Sequence, residues 1–179
     1  MRKLQKENFT DRCFRYLSTC FGLGFVSAPG TAGSIFTTVV HYIAVTKINP
    51  SKWNLLYFDT ILIFILFAIG LVAITSYTSN NRGKKDPKEI ILDEVIGQLI
   101  AFNLCNALIS SNIFEYKQVF LHVSCLCFFR LFDILKPWPI SFVDRKINNA
   151  FGIIADDVLA GLCAGLSGYY LIVFTFSQS

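Results

Sequence analysis

The chain has 179 residues, of which 54% are hydrophobic and 16% charged, with a formal charge of +4. Soluble domains usually carry roughly 25% charged residues, so this composition favours a membrane protein over a soluble one. The charge is small and dispersed, so nucleic acid is not needed to explain it. The six cysteines form no CxxC pair, which argues against a zinc site or a disulfide scaffold and for buried free thiols.

In chain order, residues 1–20 form a basic segment with Arg2, Lys3, Lys6, Arg12 and Arg15, expected as a short N-terminal helix or arm. Residues 21–179 read as a single domain. Segments 60–81, 95–114 and 158–179 carry no charge, and each meets the roughly 20-residue length of a bilayer span. Two weaker segments join them: 34–48 is short, and 118–135 contains Arg130 and Asp133. Lipid-spanning backbone must satisfy its own hydrogen bonds, and no segment alternates like a barrel strand. The expected fold is therefore all-α: a small multi-pass helical membrane bundle of about five apolar helices. Linkers are expected at 49–54, 79–90, 112–117 and 136–150. Ala160, Ala164 and Gly168, with Gly161 and Gly165 beside them, predict close backbone approach by the last helix.

Lys and Arg number five before the first apolar segment, then two, four, one, four and none after successive segments. The alternation places the N-terminus in the cytoplasm. With that orientation SAPGTAGS (27–34), Asp93-Glu94, RLFDILK (130–136), DRK (144–146) and Asp156-Asp157 all fall at cytoplasmic helix ends. Asp59 and Glu115 stand singly on the other face. His41 and His122 look isolated, each satisfied by packing or by a backbone carbonyl.

DEVIGQ and DDVLAG share a pattern: two acids opening a helix, with small or polar residues one turn below on the same face. Helices meeting along such faces would bring Asp93, Glu94, Asp156 and Asp157 together. Converging carboxylates need a cation between them. An all-oxygen donor set suits Mg²⁺, which completes its shell with water and substrate phosphate. Arg130 and Asp133, three apart, share a helix face. Arg130 offers a planar fork for phosphate and Lys136 a point charge. Pro137 and Pro139 stop that helix, and Trp138 fits an interfacial anchor. Pro29-Gly30 favours a tight bend, with Thr31 or Ser34 capping the next helix and free N–H groups there open to an anion.

The ordered motifs PGTAGS, DEVIG, RLFDILKPWPI, DR and DDVLAG resemble the phosphatidylglycerophosphatase A family, from about Gly22 to Gly168. That resemblance implies a Mg²⁺-dependent enzyme of the bacterial inner membrane. It would hydrolyse the phosphomonoester of phosphatidylglycerophosphate to phosphatidylglycerol on the cytoplasmic side. It also implies an active site of Asp93, Glu94, Asp133, Asp156 and Asp157, with Arg130 and Lys136 nearby. On this reading Asp93, Asp133, Asp156 and Asp157 are the catalytic candidates, and Asp93, Glu94, Asp156 and Asp157 the metal candidates. Arg130, Lys136, Arg145, Gly30, Thr31, Gly33 and Ser34 are the phosphate or headgroup candidates. The partners are the phospholipid substrate and the membrane. The nucleophile is either water on the metal or an aspartate. An alternative use of the same acids is a small cation-dependent transporter or channel, although no inverted repeat is visible.

Overall fold

The computed structural model describes residues 9–48, 51–80, 89–109, 115–147 and 149–176, and every regular element among them is helical. Helix α1 (Phe9–Ser18) leads through a 3₁₀ turn (Leu23–Phe25) into α2 (Pro29–Ile48). Helices α3 (Lys52–Asn80), α4 (Leu92–Leu108) and α5 (Glu115–Leu135) follow, then a short α6 (Ile140–Lys146) and the closing α7 (Ala150–Phe176).

Among the described residues, three helical stretches are long and apolar enough to cross a bilayer: Lys52–Thr78, Lys117–Leu135 and Ala150–Phe176. Five were expected, and the two that fall short do so for different reasons. Helix α2 is diluted by Thr37, Thr38, His41, Thr46 and Lys47. Its threonines return their hydroxyls to the helix, as in Thr37 to Gly33 O at 2.9 Å and Thr38 to Ser34 O at 2.7 Å. Helix α4 has only 17 residues and is the central element, packed against α2, α3, α5 and α7. Most of its side chains, among them Ile96, Leu99, Phe102 and Cys105, are buried by protein. Outward-facing apolar residues lie instead on α2 (Phe36, Val40, Ile43), α3 (Phe58, Ile61, Phe64) and α7 (Tyr170, Phe174).

Helix ends also depart from expectation. Helix α7 starts at Ala150, so Asp156 and Asp157 lie two turns inside it and gain nothing from the helix dipole, which fades within the first turn. Helix α2 starts at Pro29, a favoured first position for proline, so Thr31 and Ser34 lie inside the helix and are not caps. Ser34 bonds back to Gly30 O at 2.9 Å. The expected linker 136–150 contains α6. The far end of α4 is closed by Lys52 of α3, whose ammonium donates to Ala107 O at 3.2 Å and to Ile109 O. A cation there complements the free carbonyls of a helix C-terminus.

Halfway along the bundle, residues thought to be isolated meet. His41 Nδ1 lies 2.8 Å from His122 Nε2, and His41 Nε2 lies 3.1 Å from Asp59 Oδ2. His122 Nδ1 reaches Gln118 O at 2.7 Å. Phe102 stacks on His41 at 4.8 Å and tilts over His122 at 4.7 Å between ring centres. All three polar side chains are buried.

Candidate active site

The site begins with two glycines. A Cβ on Gly161 of α7 would collide with the Gly97 carbonyl of α4, and one on Gly97 would stand 2.6 Å from the Asp157 carbonyl oxygen and from the Phe129 ring. The two backbones therefore touch, as the small residues of α7 predict. One turn from that contact, α4 presents Asp93 and Glu94 from its first turn, and α7 presents Asp157. One carboxylate oxygen from each lies within 4.8 Å of the others. Asp93 and Asp157 are 7% and 4% exposed, too buried for water to screen their repulsion.

The field of this cluster is visible in its neighbours. Burial first, then the Asp93 carboxylate, push Glu94 well above the usual carboxylate range. Burial, then Asp93 and Glu94, push the Cys20 thiol up to about 12, so it stays protonated. Glu94 Oε2 is buried with no hydrogen-bond partner among the described residues. Oxygen-only donors this close together suit a hard divalent cation.

Cations stand beside the cluster but are held by other acids. Arg130 Nη1 pairs with Asp133 Oδ2 at 2.8 Å and lies 3.5 Å from Ser34 Oγ. The Glu94 carboxylate and the Arg130 guanidinium both pack where a side chain at residue 30 would be, so a larger residue at Gly30 would displace them. Lys136 ends α5 in the left-handed region at φ 43°, its N–H closing on Phe132 O at 2.8 Å. That conformation costs a non-glycine residue roughly 1–2 kcal/mol. It aims the ammonium at Asp156 Oδ2, 2.5 Å away, and at Asp144 Oδ1, 2.7 Å away. Burial opposes the charge on Lys136, but the hydrogen bonds to Asp144 and Asp156 outweigh it and raise its pKa above the ordinary lysine value.

These groups line one cavity of about 360 Å³. Of the residues singled out in the sequence, Gly30, Asp93, Glu94, Arg130, Asp133, Lys136, Asp156 and Asp157 all line it. Asp156 faces Lys136, whereas Asp157 joins the acidic cluster. Gly33 packs against Ile91, Ser34 touches the cavity only through Arg130, and Thr31 and Arg145 are not part of its wall. Arg145 is exposed, and its neighbour Asp144 takes the inward position. The DR pair marked this turn, but the sequence did not show which of its two residues faces inward. Trp138, 81% exposed, stands on the outer surface, as an interface anchor requires.

Residues 16–172 match the family model of phosphatidylglycerophosphatase A. Two curated relatives carry that name. One, from Haemophilus influenzae, is 34% identical over 153 residues, covering 83% of this chain and 82% of the relative. The other, from Escherichia coli, is 27% identical over 156 residues, covering 87% of this chain and 81% of the relative. No solved structure matches the chain.

Proposed function

Because the chain belongs to the phosphatidylglycerophosphatase A family, we propose that it hydrolyses the phosphomonoester of phosphatidylglycerophosphate, releasing phosphate and leaving phosphatidylglycerol. The observation that carries this reading is the convergence of Asp93, Glu94 and Asp157 beside Arg130 and Lys136 in one cavity. A phosphomonoester dianion needs a cation on one side and hydrogen-bond donors on the other. Asp93, Glu94 and Asp157 would hold Mg²⁺, with Asp156 at the edge of the set. Once bound, the ion supplies Lewis acidity toward a phosphate oxygen and offsets developing negative charge.

The protein's own groups do the positioning. Arg130, oriented by Asp133, presents its fork to phosphate oxygens, and Lys136 gives a second positive charge between Asp144 and Asp156. The free N–H of Gly30, in the first turn of α2, opens the same wall to an anion. Ile90, Ile147 and Ile153 form an apolar wall that sheds water from the site. In the reaction a new P–O bond forms on the attacking oxygen, the bond to glycerol oxygen breaks, and the departing oxygen takes up a proton.

The charge alternation along the chain supports an inner-membrane enzyme with this cavity facing the cytoplasm. Purified protein with phosphatidylglycerophosphate should release phosphate with Mg²⁺ and stop when the ion is chelated. A folded sample with no Mg²⁺-dependent release would overturn the proposal. Asp86→Cys, with the native exposed cysteines replaced, should react with an impermeant thiol reagent only from the cytoplasmic side.

A further inference from the structure

We propose that Asp59, His41 and His122 form a net-neutral, three-proton lock that fixes α2 against α3 and α5 and so positions Gly30, Ser34 and Arg130 at the cavity. The proton inventory follows from the contacts. Gln118 O is a carbonyl and can only accept, so His122 Nδ1 carries a proton. The contact between His41 and His122, at 2.8 Å, holds one proton, and the contact between His41 and Asp59, at 3.1 Å, holds another. Stripped of all three, one carboxylate and two imidazolates would carry three negative charges. Three protons bring the trio to zero.

That total is the same for three distributions. The acid can keep its proton beside two neutral rings, or the positive charge can sit on His41 or on His122, with Asp59 ionised. No contact breaks in passing among them. Adding or removing one proton, by contrast, leaves two donors or two acceptors facing each other. A trio that satisfies every contact only at zero net charge suits an apolar interior, where an unpaired charge is costly. Phe102 covers both rings, and Tyr42 meets His122 edge-on at 5.4 Å between ring centres.

The link to the cavity is geometric and rests on the function proposed above. His41 lies seven residues along α2 from Ser34, and His122 eight residues before Arg130 on α5. At about 1.5 Å per residue the lock is roughly 10–12 Å along the helices from the Ser34 and Arg130 contact. The same two helices are thus tied at two levels, by Ser34 with Arg130 near the cavity and by His41 with His122 below it. Sliding α2 on α5 by one turn would break both.

The chain contains only two histidines, so ¹⁵N-histidine labelling with a histidine-free tag reports the trio alone. NMR in detergent micelles should give a scalar coupling between His41 Nδ1 and His122 Nε2 across their hydrogen bond, and a protonated Nδ1 on His122. Two uncoupled rings titrating as free imidazoles would overturn the lock, whatever the activity result. Thermal melting is the second measurement. His41→Leu should lower Tm more than the double variant His41→Leu/Asp59→Leu, because the single change strands Asp59 without its partner. Asp59→Asn, whose amide can donate to His41 Nε2, should melt near the parent. Additive losses in Tm would reject the charge-balance argument.

For positioning, kcat/KM for phosphate release should fall several-fold in folded Asp59→Leu and return to within twofold in Asp59→Asn. Equal values in the two, with the NMR coupling intact in the parent, would overturn the positioning role and leave the hydrogen-bonded trio standing. Loss of activity in the parent itself would count against the proposed reaction and not against the lock.

Discussion

The bundle buries two polar groupings, and they are built on opposite principles. At the cavity, Asp93, Glu94 and Asp157 crowd acids together, and Glu94 Oε2 has no partner among the described residues. In the middle of the bundle, Asp59, His41 and His122 sit in line and account for every proton their contacts require. The second grouping balances its protons along the line, although Asp59 Oδ1 has no partner among the described residues, and it ties helices together. The first is complete only with something added, and its repulsion is energy that a bound cation would release. Burial of polar side chains is therefore not one signal. What separates the two groupings is whether the local charge balances without an added ion.

The strongest way to break this comparison is Asp157→Asn. Phosphate release should fall by about a hundredfold to a thousandfold, the scale for removing one electrostatic group from a reaction centre. Removing a like charge should at the same time raise Tm in metal-free buffer by about 2–4 °C, equivalent to roughly 1 kcal/mol for a domain of this size. A protein that loses both activity and stability would show that the cluster is a structural element. Next comes Mg²⁺ itself. Saturation at 100 times its Kd should stabilise the parent by about 2.7 kcal/mol, and much less after Asp93→Asn; calorimetry with and without the ion measures both. Arg130→Lys keeps the charge but loses the fork, and should reduce kcat/KM by about tenfold, the loss of roughly one charge-assisted hydrogen bond. Trp138→Ala should change release in detergent by less than about twofold. Its effect should appear in vesicle partitioning, because its ring serves the interface and not the cavity.

Much of this was legible in the sequence because it is written locally. Charge-free runs gave the helices, the small residues of α7 gave its contact with α4, and the paired acids gave most of the cavity. Three things were not legible, each for a physical reason. The start of α7 was expected at Asp156, six residues late, because Asp156 and Asp157 look like a helix boundary when the Lys136 that pairs with Asp156 lies 20 residues away. The enclosure of helix α4 by its neighbours was not legible, because apolarity does not distinguish burial in lipid from burial in protein. The lock was invisible because its partners are separated by 18 and 81 residues, and no local spacing links a lone aspartate to two lone histidines. The cavity's own cations show a milder version. Arg130 and Lys136, expected near the acids, do line the cavity, but the sequence did not show that Asp133, Asp144 and Asp156 already hold them.

The contact between Gly97 and Gly161 has a consequence for how this site ages and adapts. Side chains hop between rotamers and interfaces swell with temperature, but here the spacer between two acid-bearing helices is main chain against main chain. It acts as a gauge block: the gap between Asp93 and Asp157 is set by the thickness of two peptide backbones. A membrane that thickens, thins or changes its lipids can tilt the bundle without resetting that gap. The same rigidity closes an evolutionary route, since even one methyl group at either glycine would force the jaws apart.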